Sequence, residues 1–166
     1  MSSLSKSQEI EAAAIPQILL FLESLSMKVE PTDQQHFLQA VWGDFTVLKN
    51  NLQLGIELKV EQSNRYGNFF LETWSNRQWR TLGWLYKLRG DYLFYYFLEE
   101  KTLYTIQTPA LLDWCFGAGE AQGQIYRFPE RAQAKYSQKN DTWGRCVPIA
   151  VLQKALGDAI KKHRLS

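Results

Sequence analysis

The chain has 166 residues, 45% of them apolar and 22% charged, with a formal net charge of +2. That balance excludes disordered, collagen-like and coiled-coil classes, and the length suits one domain that buries a core without disulfides or metal. The longest apolar run near the N-terminus, Ile18–Leu22, is too short for a membrane span or a signal-peptide core.

Aromatic residues make up 14% of the chain, including six Trp. A heavily packed sheet, a stacking surface, or both would use them. The two cysteines, Cys115 and Cys146, fit no CxxC spacing and need not pair, so a reducing, cytoplasmic setting with no membrane partner is expected. Charge is uneven along the chain. Residues 1–60 carry four Lys/Arg against seven Asp/Glu, net −3, and residues 61–166 carry fifteen against ten, net +5. Within Gln62–Gly90 the bases are Arg65, Arg77, Arg80, Lys87 and Arg89, with Glu72 the sole acid. Such a segment suits a phosphate-facing surface, although charge alone favours a plain solvated face.

Ser5 to Leu25 is predicted as the first helix. Ser5 and Gln8 have capping-box spacing, and Ile10, Ala14, Ile18, Phe21 and Leu25 mark an apolar stripe. Pro16 is expected to bend or split this helix, since its ring removes an N–H and crowds the preceding turn. Lys28–Pro31 reads as a short extended segment. Asp44–Leu48 and Leu52–Glu61 then read as strands joined by a polar turn at Lys49, Asn50 and Asn51. In the second, Leu52, Leu54, Ile56, Leu58 and Val60 alternate with polar or small residues, which puts Glu57, Lys59 and Glu61 on one face. With Asn50–Asn51 as a two-residue loop, Phe45 faces Ile56, Val47 faces Leu54, and Asp44 falls opposite Glu57. A slip of one residue would set Phe45 and Val47 against the polar face.

After a loop at Gln62–Gly67, Asn68–Trp74 is predicted as a strand. A hairpin pairing with the preceding strand would bring Glu72 opposite Glu57. Ser75–Arg89 reads as a loop with a short helix. Asp91–Leu98 is nearly continuously apolar and aromatic, as a strand buried on both faces is. Leu103–Gln107 follows as a strand, and Thr108-Pro109 opens a helix that ends by Gly117. Gly123–Phe128 is read as a strand, and Pro148–His163 as a terminal helix with a basic last turn.

Asp44, Glu57 and Glu72 would thus share a face with Lys59. Carboxylates so close cannot all stay ionised unless a cation neutralises them. Hard oxygen ligands completed by substrate phosphate are how Mg²⁺ is usually held, and such an ion polarises a phosphoryl oxygen and acidifies bound water. An exposed sheet face with an ordinary Glu–Lys pair is the plain alternative.

The segment Asp44-(12 residues)-Glu57-Leu58-Lys59 resembles the core motif of the PD-(D/E)XK nuclease superfamily. The stretch from Glu72-Thr-Trp-Ser through Gly83-Trp-Leu-Tyr-Lys to Gly90-Asp-Tyr-Leu-Phe-Tyr-Tyr is similar to uncharacterised phage and bacterial members, and the resemblance covers about residues 5–107. Gly43 stands where the motif's nominal proline would be. The resemblance implies an α/β fold with a restriction-endonuclease-like core, a mixed central sheet of about four to six strands flanked by helices. It implies Mg²⁺ (or Mn²⁺) held by Asp44, Glu57 and the backbone carbonyl near Leu58, and an attacking water assisted by Lys59. Glu72 would assist, with a further glutamate from the first helix. Helical phase favours Glu11 over Glu9 for that role, because Glu11 falls within the apolar stripe.

The expected activity is hydrolysis of DNA phosphodiester bonds by a single domain, with residues 108–166 a helical extension and a homodimer as the assembly. Arg65, Arg77, Arg80, Lys87 and Arg89 would contact the phosphate backbone, and Trp74, Trp79 and Trp84 would stack on bases or pack as core or interface. The alternative is a non-catalytic nucleic-acid- or protein-binding domain that retains the fold. His36 and His163 have no ligand spacing, and Cys115 reads as core.

Overall fold

Ser5 Oγ accepts the N–H of Gln8, and Gln8 Oε1 accepts that of Ser5, so the first helix begins on the expected capping box. The computed structural model describes residues 5–30, 44–117, 123–133 and 141–166. Pro31, His36 and Gly43 lie outside the described residues. Helix α1 (Lys6–Ser24) runs unbroken through Pro16, so the expected split does not occur. Ile18 and Leu22 are fully buried, worth about 1.5–3 kcal/mol each, which offsets a proline cost of about 3 kcal/mol. At Gln17, the residue after Pro16, the side chain accepts the Tyr96 hydroxyl.

The chain forms two units. The described residues of the first fall within Met1–Arg65, Arg89–Thr108 and Ala159–Ser166, and those of the second within Tyr66–Leu88 and Pro109–Asp158.

The first unit is built on a mixed six-stranded sheet. Its strands are β1 (Lys28–Glu30), β2 (Phe45–Lys49), β3 (Leu52–Glu61), β6 (Tyr92–Phe97), β7 (Thr102–Gln107) and β10 (Ile160–Arg164), in the spatial order β1-β2-β3-β6-β7-β10. Strands β3 and β6 are parallel, and every other neighbouring pair is antiparallel. The β2–β3 register is the one the alternation demands: Phe45 opposes Ile56 and Val47 opposes Leu54. Asn50 and Asn51 close this hairpin at φ 51° and 65°, the left-handed pair of a two-residue primed turn. Ala14, Ile18 and Leu22 of α1 form one core with Val47, Ile56, Leu58, Phe94, Tyr96 and Leu103. Residues of the opposite parity on β6 and β7, including Tyr95, Phe97 and Tyr104, are buried too, as expected for a strand covered on both faces. The chain is therefore α/β with a mixed sheet.

The second unit holds an antiparallel sheet in the order β5-β4-β9-β8, made of β4 (Asn68–Asn76), β5 (Thr81–Leu82), β8 (Glu130–Ala132) and β9 (Trp143–Pro148). This corrects the expected β3–β4 hairpin: β4 pairs with β5 and β9, so Glu72 is not a cross-strand neighbour of Glu57. Gly83 carries the chain past β4 so closely that an added Cβ would lie 2.4 Å from the Glu72 carbonyl oxygen. A single turn of 3-10 helix, Trp84–Lys87, follows.

Helix α2 (Thr108–Phe116) starts at Thr108-Pro109 as read. Two readings beyond it are corrected. Gly123 takes a left-handed φ of 59° and opens a 3-10 turn at Gln124–Arg127 rather than a strand. Helix α3 (Ile149–Leu156) stops at Gly157, φ 54°, and the chain re-enters the first unit's sheet as β10 beside β7. Residues 108–166 are therefore not a helical extension, since three of their segments are strands.

Candidate active site

Strand β3 carries the candidate chemistry on the face opposite α1. Asp44 sits immediately before β2, and its Oδ2 accepts the N–H of Leu58 at 2.8 Å. Leu58 pairs with Phe94 of β6 on its other side. Its N–H points to the β2 side, and strand geometry sends its carbonyl the same way. The carboxylate of Asp44 and the carbonyl of Leu58 thus lie along one edge of β3, next to Glu57, which shares its strand face with Lys59 two residues on.

Four charged groups share one field here. Glu57 is half-buried, and its pKa is raised first by desolvation and then by the Asp44 carboxylate, while Lys59 pulls it down. Glu11 is exposed on α1, yet partial desolvation and then Asp44 raise its pKa, again against Lys59. Asp44 and Lys59 therefore act electrostatically on both glutamates. Two like charges close by disfavour ionisation, and a cation beside them would relieve the repulsion.

At the end of the same strand face, the Tyr95 hydroxyl donates to Glu61 Oε1 at 3.0 Å. Burial raises the Glu61 pKa, and the tyrosine bond lowers it. This pair was not assigned a role from sequence, although Glu61 belongs to the Glu57–Lys59 alternation.

Glu72 lies in the second unit, where its Oε1 accepts the N–H of Trp84 at 3.2 Å. The basic residues are divided as well: Arg65 and Arg89 belong to the first unit, and Arg77, Arg80 and Lys87 to the second. All five are exposed. Arg77 lies 4.1 Å above the Trp143 ring. Of the three candidate stacking residues, Trp74 and Trp84 are partly buried, and Trp79 is 75% exposed. Cys115 is fully buried, as expected, and burial pushes its thiol up to about 12.

The fit of a divalent cation rests on donor chemistry. Among the described residues no group of three or more His, Cys, Asp or Glu side chains is gathered that could hold a metal ion. Mg²⁺, however, is commonly bound through one or two carboxylates, with waters and substrate phosphates filling the rest of its shell. Asp44 and Glu57, with the Leu58 carbonyl beside them, offer hard oxygens of that kind.

Asp91 and Asp141 were missed in the sequence. Asp91 Oδ2 accepts the N–H of Gly55 at 2.8 Å, on the side of β3 opposite Asp44. Asp141 binds a turn more than sixty residues earlier in the chain, a distance over which a sequence pattern carries no signal. Among the described residues no helix is long and apolar enough to cross a membrane. No family model matches the sequence, and no curated protein or solved structure is significantly similar to it.

Proposed function

We propose that the chain is a Mg²⁺-dependent phosphodiesterase of the PD-(D/E)XK kind that acts on DNA in the cytoplasm. The observation that carries this reading is the seating of Asp44 on β3, where its Oδ2 accepts the Leu58 N–H at 2.8 Å in the β2–β3 register that brings it beside Glu57. It falls on the side chains whose spacing resembles the nuclease motif. Asp44 and Lys59 also act electrostatically on both Glu57 and Glu11. Asp44, Glu57 and the Leu58 carbonyl would be the cation's ligands. When bound there, Mg²⁺ supplies Lewis acidity at a phosphoryl oxygen and a more acidic water.

The chain's own residues do the rest. The Leu58 N–H holds the Asp44 carboxylate in place, which orients an acceptor before any ligand arrives. The Lys59 ammonium offsets negative charge building on the phosphate in the transition state. Glu11 adds a second acceptor from α1. Exposed Arg65 and Arg89 of the same unit supply phosphate contacts that fix the backbone without reading sequence. Glu72 is left out of this reading, since it lies in the second unit, where its Oε1 accepts the Trp84 N–H. A homodimer would bring two such sites to two strands.

Calorimetric titration of Mn²⁺ into the wild-type chain and Glu57→Ala, with and without a short DNA duplex, tests the reading. Binding in the wild type that is lost in the variant is the expected result, with cleavage of the DNA in the same mixture. A wild-type chain that takes up no Mn²⁺ even with DNA present overturns it and leaves a non-catalytic binding domain.

A further inference from the structure

The turn between β4 and β5 displays a tryptophan on a fixed backbone. Each N–H from Arg77 to Arg80 is hydrogen-bonded. Arg77 N–H donates to the Asp141 carbonyl at 2.8 Å, and Gln78 N–H to Asp141 Oδ2 at 3.1 Å. Trp79 N–H donates to Asn76 Oδ1 at 3.0 Å, and Arg80 N–H to the Arg77 carbonyl at 3.1 Å. The remaining oxygen of Asp141 accepts the Trp143 indole N–H at 2.8 Å. Arg80 sits at φ 55°, which completes the reversal. Asp141 thus clamps the turn through its carbonyl and Oδ2, while Oδ1 holds the Trp143 indole.

On this support the Trp79 side chain is 75% exposed. Among the described residues it is the one tryptophan in the exposed class. Its neighbours Arg77, Gln78, Arg80 and Thr81 are exposed and polar, Leu82 is 45% exposed, and Asn76–Leu82 carries two arginines. The Asp141 carboxylate beside them accepts the Gln78 backbone and Trp143 indole N–H groups, and the Arg77 guanidinium lies over the Trp143 ring. A tryptophan that anchors a protein partner normally sits at the centre of a patch whose surroundings exclude water. Charged neighbours do the opposite. They match a polyanion, whose bases offer flat π-faces next to phosphates.

We propose that Trp79 is a stacking platform for an unpaired nucleobase, with Arg77 and Arg80 on the adjoining phosphates. Bases inside a duplex are stacked on one another and offer no free face. The preferred substrate is therefore single-stranded DNA or the single-stranded tail of a duplex. This deepens the reading above by naming its substrate class, and it rests on the nucleic-acid part of that reading, not on its metal chemistry.

Fluorescence anisotropy tests it in EDTA, so that binding is read without cleavage. The probes are a labelled single strand, a blunt duplex of the same sequence and the duplex with a single-stranded tail. The wild-type chain should prefer the single strand and the tailed duplex. Trp79→Ala should weaken both by about tenfold, the order of one lost base stack, and leave the blunt duplex nearly unchanged. Trp79→Phe keeps a ring on the same turn and should retain most of the affinity.

Equal affinities for all three probes in the wild type overturn the proposal, as does a Trp79→Ala chain that binds like wild type. A wild-type chain that binds no oligonucleotide also overturns it. Trp79-dependent binding with no cleavage on adding Mn²⁺ leaves the platform standing and removes the nuclease chemistry. Cleavage that is indifferent to Trp79→Ala does the reverse.

Discussion

Asp44 Oδ2 accepts the N–H of Leu58 at 2.8 Å, so a candidate cation ligand also holds a rung of the β3 ladder just before the start of β2. The two roles separate by substitution. Asp44→Asn keeps an acceptor oxygen and loses the charge, whereas Asp44→Ala also leaves a partly buried N–H without that acceptor. Asp44→Ala should lower the free energy of unfolding by about 1–3 kcal/mol and Asp44→Asn by clearly less, while both lose Mn²⁺ binding. Urea unfolding read beside calorimetry checks this, and equal stability of the two variants would refute the structural role.

Asp91 supplies the matching control. Its Oδ2 takes the Gly55 N–H at 2.8 Å, and its backbone N–H donates to the Gly55 carbonyl at 2.7 Å. The side-chain bond caps β3 on the β6 side, away from the candidate cation. Asp91→Ala should therefore cost about 1–3 kcal/mol of stability with Mn²⁺ affinity unchanged. Loss of metal binding in that variant would place Asp91 in the site.

The first unit's hairpin was legible because two independent signals agreed. Strict alternation over β3 fixed which residues faced the core, and Asn50–Asn51 fixed the loop length, so the register had no freedom left. Asp44 and Glu57 came together from that register alone. Glu72 was misplaced because β4 alternates just as well against β9 as against β3, and pattern cannot say which partner a strand finds. The terminal helix ran too far because Lys161, Lys162 and His163 looked like a basic last turn. Gly157, at a left-handed φ, was the stop signal. The Asp141 clamp had no local trace, since it joins residues 77–78 to residue 141.

Asn51 tests the turn that sets this register. It sits at φ 65° and is exposed. Asn51→Gly removes what remains of the left-handed penalty and should leave stability equal or raise it by less than about 1 kcal/mol. Asn51→Val places a β-branched residue in the same conformation and should cost about 1–2 kcal/mol. Thermal unfolding checks the order Gly, Asn, Val. A stable Val variant would mean that the hairpin closes through a different turn.

His163 gives the acid dependence. On β10 its Nε2 lies 3.1 Å from Thr105 Oγ1, and its ring centroid lies 4.8 Å from that of Phe21. Desolvation, then repulsion from Lys161, lowers its pKa below the ordinary value of 6.5. The unfolded chain therefore binds this proton more readily than the folded one does. The contribution to stability is fully present above pH 6.5 and is lost as the pH falls through that value toward the lower folded pKa. His163→Gln retains a polar group within reach of Thr105 and removes the titration. The stability of wild type relative to His163→Gln should thus decline on acidification from about pH 7.5 to about pH 5, measured by urea unfolding at each pH. The difference isolates His163 from Glu11, Glu57 and Glu61, whose raised pKa values favour the folded chain in acid in both proteins. A difference that stays constant across that range would show that His163 titrates alike in the folded and unfolded chain.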